Sequence, residues 1–337
     1  MAKNNLRIGL IARADNSGLG KLSEDFYNNL PIAKTLALKH PHYHNYPEKF
    51  PKARFAKMGN PTLEEIDWLL EDIDLVLTFE TAYNWNLFSR AKEKGVKTVL
   101  VPMYEFTRVE LPEEPDLYLC PSLIEYDIYS KVGNAKYLPI PIDRTKIPYQ
   151  ERKKADVFLF NNGHGGALGR NGLQELLEAI SLVKSDVKFL IRSQVLFQTV
   201  RDSRVQIEFG EIPFEKLYSE GDVFIFPHKF DGLSLPIQEA MAAGLPIIST
   251  NFYPHNTYLP KELLFEPETF RKGKMDEPYR TIDIAILSPI KIAQKIDEIA
   301  HKDISRYSKL SNKQAEKWSW LNLKPQYIQL FSELIQK

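Results

Sequence analysis

The stretch DGLSLPIQEAMAAGLPIIST, from Asp231 to Thr250, sets one acid in a glycine-bearing loop and a second, Glu239, inside a helix-like segment. An apolar strand, LPIIST, follows directly. Pro236 suits the first helical turn, where its missing N–H costs nothing, and Gly244 suits the helix end. The loop Asp231–Leu235 therefore brings backbone amides to a helix N-terminus, ready for an anionic or hydroxyl-rich ligand. Glu239 lies about one turn inside. A carboxylate accepts two hydrogen bonds and matches a vicinal diol such as ribose or a sugar ring. Equally, both acids could complement the positive helix end, for about 0.3–1 kcal/mol each. The residues by themselves leave the two readings level.

Outward from this stretch the chain alternates strand and helix. DVFIFP (222–227) precedes it as a strand, and FEKLYSEG (214–221) before that reads as a helix. DVFLFNNG (156–163), VKFLIRS (187–193) and RVQIEFG (204–210) are further strands, with NGLQELLEAISLVK (171–184) a helix. The first half has the same rhythm: LRIGLIA (6–12), DLVLTF (74–79), KTVLVPMY (97–104) and LYLCPS (117–122) as strands. Between them, SEDFYNNLPIAKTLAL (23–38) reads as mainly helical and NWNLFSRAKEKG (84–95) as a helix. Such alternation predicts parallel sheets with helices on both faces. The rhythm breaks at YLPIPIDRTKIPYQERKK (137–154), which reads as a linker, and the tail from Ile290 is helical, with Trp318 and Trp320 between its helices. Two doubly wound halves should place a ligand at the carboxyl ends of their strands. That leaves a dinucleotide oxidoreductase, a nucleotide-sugar transferase, or a two-lobed binding protein.

A chain of 337 residues suits two domains, and 44 basic against 44 acidic side chains leave no global field to recruit a polyanion. The single cysteine, Cys120, cannot form an internal disulfide, and no run approaches the roughly 20 apolar residues of a membrane span. With no signal-peptide pattern at the N-terminus, the expectation is a cytoplasmic protein, soluble or at most peripheral to a membrane.

Two further loops could meet phosphate. ADNSGLGKLSEDF (14–26) offers Gly18 and Gly20 at a helix start, but Ser23 stands where a dinucleotide fingerprint needs its third glycine. FNNGHGGALGRNGLQELLEAI (160–180) carries Gly163, His164, Gly165, Gly166 and Gly169 and ends at Arg170, a guanidinium placed to donate to phosphate. Arg192, at the carboxyl end of its strand, is a weaker candidate.

FEKLYSEGDVFIFPHKFDGLSLPIQEAMAAGLPIISTN resembles the donor-domain signature of GT-B glycosyltransferases, particularly the large retaining family 4 (glycosyl transferases group 1). SGLGK (17–21) looks like the acceptor-domain glycine loop, CPSLIEYDIY with LPIPIDRTKIPY like the approach to the interdomain linker, and WSWLNLKPQYIQLFSELI like the terminal helix that crosses back. The resemblance implies two Rossmann-like doubly wound domains facing across a cleft: an acceptor domain (1–145), a nucleotide-sugar donor domain (146–318) and a crossing helix (319–337). It implies a metal-free retaining transfer from a nucleotide-diphospho-sugar such as a UDP- or GDP-sugar, with no cofactor. Glu239 would hold the ribose hydroxyls and Asp231 the transferred sugar. The amides of Gly232, Leu233 and Ser234 would lie near that sugar and the diphosphate, and Gly18 would line the cleft from the opposite side. Arg170, Gly163, His164 and Arg192 complete the expected donor set, with Asp231 and Arg170 as the catalytic pair.

The chain departs from that pattern in three places. Asp231 is one methylene shorter than the usual glutamate. Asn161 or Asn162 and Asn171 occupy the neighbourhoods of the usual diphosphate-binding Arg and Lys. Met103, Tyr104 and Glu105 stand where a cleft histidine is common, which makes Glu105 and Tyr104 candidates for the acceptor side. The segment 34–57 adds Lys34, Lys39, Lys49, Lys52, Arg54 and Lys57 against one acid, Glu48, interleaved with His40, His42, His44, Tyr43, Tyr46 and Phe50. Its histidines match no strong metal-ligand spacing, so no metal site is expected. Its basic residues, Lys52 and Arg54 among them, could meet an anionic acceptor, either lipid or nucleic acid. The acceptor is thus a glycan, lipid or small molecule, or alternatively a hydroxylated base in DNA. A non-catalytic nucleotide-sugar-binding module is the reading outside the enzyme class.

Overall fold

The computed structural model describes residues 6–40, 44–163, 166, 169–274 and 281–337. Two compact units emerge, one built from Met1–Pro141 with Trp320–Lys337, the other from Ile142–Met275 with Thr281–Ser319.

In the first unit, β1 (Ile8–Arg13), β2 (Ile32–Leu38), β3 (Arg54–Phe55), β4 (Leu75–Phe79), β5 (Lys97–Val101), β6 (Leu117–Cys120) and β7 (Ala135–Tyr137) form a parallel sheet. Its order is β3-β2-β1-β4-β5-β6-β7. Helices α1 (Gly18–Asn29), α2 (Leu63–Leu69), α3 (Asn86–Glu93) and α4 (Leu123–Tyr129) make the crossovers. β4 is buried along its whole length, as a strand covered on both faces must be, which explains why LVLTF is almost continuously apolar. A capping box starts α2: Thr62 Oγ1 accepts from Glu65 N–H, and Glu65 Oε2 accepts from Thr62 N–H.

One expectation fails here. The segment 23–38 is not one helix; α1 ends at Asn29, ahead of Pro31, whose ring disfavours helical backbone in the residue before it. IAKTLAL then runs as β2 in register with β1. Its Ala and Leu are good helix formers, but pairing and burial between strands outweigh a propensity of a few tenths of a kcal/mol per residue.

In the second unit, β8 (Val157–Asn162), β9 (Lys188–Ser193), β10 (Val205–Phe209), β11 (Val223–Phe226), β12 (Ile247–Thr250) and β13 (Leu264–Phe265) form a parallel sheet in the order β10-β9-β8-β11-β12-β13. An antiparallel hairpin, β14 (Thr269–Lys274) and β15 (Thr281–Ile286), stands apart from it and was not expected. Helices α5 (Leu173–Ile180), α6 (Leu235–Ala242), α7 (Pro289–Ile299) and α8 (Ser305–Lys317) complete the unit. The expected helix at 214–221 is only a 3₁₀ turn, Phe214–Lys216. Its carbonyls are taken by other side chains: Arg192 Nη1 donates to the Lys216 and Leu217 oxygens, and Asn161 Nδ2 to that of Leu217.

The proline-bearing segment after residue 141 lies along the second unit. Ile142 N–H bonds the Trp318 carbonyl, and Arg152 N–H bonds Ser308 Oγ. The terminal helix α9 (Trp320–Ile335) belongs to the first unit. Trp320 and Tyr327 meet Phe26 of α1 edge-to-face at 5.1 and 5.4 Å between ring centroids, and the Tyr327 hydroxyl donates to the Pro139 carbonyl. Both sheets share one arrangement, in which the chain runs outward through three strands and then returns past the first to continue on its other side. The switch points lie between β1 and β4 and between β8 and β11, where open α/β sheets bind ligands.

Candidate functional site

In the second unit the loops after β8 and β11 flank the switch point and are tied to each other. Lys229 N–H donates to the Arg170 carbonyl at 2.7 Å, and Lys229 Nζ pairs with Glu175 at 2.8 Å. Gly172 makes the close approach possible: its φ is +71°, and a Cβ there would sit 2.0 Å from the Pro227 carbonyl oxygen. Arg170 thereby reaches the neighbourhood of Asp231, whose carboxylate feels its charge.

Asp231 is buried, and its Oδ1 accepts from Ser234 N–H at 3.2 Å. Burial pushes its pKa above the ordinary carboxylate value, against the opposing pull of Arg170 and of the Ser234 and Gly232 amides. A raised acid binds more protons folded than unfolded, so its contribution to stability is lost as pH rises through its folded pKa. Asp231→Asn is therefore expected to melt higher than wild type at pH 7 while losing activity. The gap should close as pH falls toward the ordinary carboxylate range; a variant less stable than wild type at pH 7 would contradict this sign.

Ser234, at φ 51°, turns the chain into α6, with Pro236 in the first turn. Glu239 is half-buried on α6 and accepts from the Tyr218 hydroxyl through Oε2 at 2.8 Å. Burial, and then the Glu239 charge, hold the Tyr218 hydroxyl well above its usual pKa, so it stays a donor. The Asn161 side chain, at the end of β8, lies beside the same hydroxyl. Around this loop and helix two buried side-chain oxygens, Asn161 Oδ1 and Gln238 Oε1, have no protein partner. Each such atom costs about 1–3 kcal/mol, so their concentration at one switch point marks a place built to be completed by a polar ligand.

Residues 163–270 match the family model described as Glycosyl transferases group 1. Solved structures extend the likeness in fold to nearly the whole length. HepE of Anabaena, determined with UDP and glucose, is 10% identical, with a TM-score of 0.69 over 97% of this chain and 100% of its own. Sucrose-phosphate synthase of Thermosynechococcus elongatus is 15% identical, with a TM-score of 0.68 over 98% and 99%. A glycosyltransferase of Rickettsia africae is 13% identical, with a TM-score of 0.68 over 99% and 100%. No curated protein matches the chain in sequence. The chain therefore has the GT-B class of fold, two Rossmann-like units.

The other expected donor residues fare unevenly. Gly163 follows β8 directly, and Gly166 N–H bonds back to its carbonyl at 2.8 Å. His164 lies outside the described residues. Arg192 departs from expectation. Its guanidinium is almost fully buried and spends its donors on Glu208, Glu220 and the Lys216 and Leu217 carbonyls, bracing the segment that carries Tyr218. Asn162 and Asn171 are buried and bonded to each other, with Asn162 also donating to Ser193 Oγ.

In the first unit Gly18 opens α1, where Ser17 caps Gly20 N–H. The glycine that the local geometry demands is Gly20, since a Cβ there would lie 1.9 Å from the Asp15 carbonyl oxygen. Tyr104 and Glu105 are buried rather than presented. Tyr104 N–H donates to Glu125 Oε1, and burial, with the Glu105 charge adding, lifts Glu125 to about 7 against the Ser122 hydrogen bond. The basic segment is not a bare cationic face either. Lys49 pairs with Glu24, Arg54 and Lys57 with Glu64, and Lys34 with Glu71, while Arg54 also lies over the Trp68 ring. Lys52 remains exposed; His42 and Tyr43 lie outside the described residues. Among the described residues no group of three or more His, Cys, Asp or Glu side chains could hold a metal ion, and no helix is long and apolar enough to cross a membrane.

Tyr218, Gln238, His228 and His255 join the site without having been singled out in the sequence. Tyr218 stands in KLYSEG, His228 in FPHKF and His255 in YPHNT, none at a spacing that marks a site. Gln238 carried a usable signal, a buried amide next to Glu239 on a helix whose other residues are apolar.

Proposed function

We propose that this chain is a cytoplasmic glycosyltransferase, which moves a sugar from a nucleotide-diphospho-sugar to an acceptor hydroxyl with retention of anomeric configuration and without a metal ion. The observation that carries the reading is Glu239, half-buried and braced by the Tyr218 hydroxyl, in the same unit as the unsatisfied Asn161 and Gln238 oxygens. In this reading Glu239 takes the ribose diol. The Arg170 guanidinium meets the diphosphate, the loop Gly232, Leu233 and Ser234 lies near it and the sugar, and Asp231, held by the Ser234 amide, meets the transferred sugar. The bond from the anomeric carbon to the diphosphate oxygen breaks, and a bond to the acceptor oxygen forms on the same face. The departing oxygen receives the acceptor's proton. Charge accumulates on that oxygen, where fixed amides and one cation lower the barrier, and no enzymic nucleophile is required.

The presence of UDP in the Anabaena structure favours a UDP-sugar as the first donor to try. On the acceptor side, the pairing of Lys34, Lys49, Arg54 and Lys57 with acids favours a glycan, lipid or small-molecule hydroxyl over DNA. Thermal-shift measurement with UDP-, GDP-, ADP- and dTDP-sugars tests the reading. One of them should raise the melting temperature, since a ligand at a hundred times its Kd adds about 2.7 kcal/mol. A flat response to all four would overturn the proposal.

A further inference from the structure

Each parallel sheet ends in two edge strands, and three of these four are kept short. β3 is two residues long and carries Arg54, β7 is three long and carries Lys136, and β13 is two long with Pro267 just beyond it. Brevity, a basic side chain and a proline are the usual devices that stop a sheet from growing. β10, VQIEF, has none of them: it runs for five residues without lysine, arginine or proline.

Its pairing with β9 decides which backbone groups are left over. Phe189 N–H donates to the Arg204 carbonyl, and Gly210 N–H donates to that of Ser193. Alternate residues of a strand face the same neighbour, so Gln206 and Glu208 bond to β9 while Val205, Ile207 and Phe209 turn their backbone outward. The Val205 N–H bends back to the Asp202 carbonyl. Among the described residues, no hydrogen bond takes the Val205 carbonyl or either backbone group of Ile207 and Phe209. The side chains at the end of this edge are apolar. Phe209 is 45% exposed, Leu196 is 83% exposed, and Phe197 lies against Phe209 at 5.3 Å between ring centroids.

The strand is also complementary to itself. Laid antiparallel to a second copy about an axis through Ile207, Val205 falls opposite Phe209, Gln206 opposite Glu208, and Ile207 opposite itself. One face of the join is then wholly apolar, and the other sets an amide donor against a carboxylate. Gln206 and Glu208 already suit each other within the strand, where Gln206 Nε2 donates to Glu208 Oε1 at 3.0 Å. Like charges do not oppose each other, because Glu208 is the one charged residue of β10 and its other oxygen pairs with Arg192 at 2.8 Å. The free backbone groups match too: the two Ile207 residues exchange a pair of hydrogen bonds, and each Phe209 N–H meets a Val205 carbonyl.

We propose that β10 is the interface of a two-fold dimer of this chain, in which the parallel sheets of two second units join into one. The inference is independent of the donor reading.

Cysteine cross-linking tests the register, since the native Cys120 is buried. At the axis the two copies of residue 207 stand about 5.5 Å apart between Cα atoms, within disulfide range. The two copies of residue 209 stand roughly 14 Å apart along the strands. Mild oxidation of Ile207→Cys should therefore give a covalent dimer. Phe209→Cys should give none alone, yet should cross-link when mixed with Val205→Cys. No dimer from Ile207→Cys, or one from Phe209→Cys alone, would refute the pairing. Sedimentation without oxidant supplies the second readout, with wild type expected to show monomer and dimer over roughly 1–100 µM. Gln206→Glu sets carboxylate against carboxylate at both symmetric pairs and should weaken the dimer about tenfold, whereas Gln206→Lys should keep or tighten it. A wild type that stays monomeric throughout, or equal effects of the two Gln206 variants, would overturn the proposal.

Discussion

Arg170→Met is expected to lower kcat by about 10²–10³-fold, with a much smaller change in donor KM. Arg170 closes the glycine-rich loop with its carbonyl fixed to Lys229 N–H, and its charge acts on both Asp231 and His228. In the proposed reading such a cation is worth little to the ground-state diphosphate. It is worth most when the leaving oxygen gains charge in a site shielded from water. Arg170→Lys should recover only part of the loss, because an ammonium cannot reproduce a planar, two-pronged donor. Steady-state kinetics with the donor found by thermal shift decide the matter. A kcat within about threefold of wild type in Arg170→Met would remove Arg170 from the catalytic pair.

Glu239→Ala is the second large effect, of the opposite kind. Two charge-assisted hydrogen bonds to a diol are worth about 1.5–3 kcal/mol each against water, so donor affinity should fall at least a hundredfold while kcat at saturation changes less. Free nucleoside diphosphate should lose affinity in parallel, since the ribose is common to both. Tyr218→Phe removes the brace and leaves the carboxylate, and should cost about five- to tenfold in affinity. Direct binding of UDP and of the sugar donor checks both; unchanged affinity in Glu239→Ala would refute the ribose role.

What could be seen in the sequence, and what could not, follows the range of each interaction. The helix after Asp231 was legible because its start and stop signals, Pro236 and Gly244, are local and act through backbone geometry alone. The parallel sheets were legible because buried strands such as LVLTF are apolar on both faces. β2 was not, because IAKTLAL is a strand only by virtue of its neighbours. The Tyr218–Glu239 bond joins residues 21 apart, and the His228–His255 contact residues 27 apart. Neither spacing follows a helix or strand period. The same limit made the 34–57 segment look more cationic than it is, since the acids that face it, Glu24, Glu64 and Glu71, come from outside the segment. Arg192 looked like a crevice cation from its strand-end position, and only the Glu208 and Glu220 carboxylates reveal where its charge is spent.

The aromatic contact between Phe26 and Trp320 has a consequence for how the protein is made. The first unit begins with residues that leave the ribosome early, yet the cluster around Phe26 waits for a helix nearly three hundred residues later in synthesis. The second unit, whose parts all lie between residues 142 and 319, has its full complement sooner. Order of synthesis and order of completion are thus inverted. A nascent chain that has emerged only as far as residue 319 should hold a finished second unit and a first unit whose Phe26 surface is still open to chaperones.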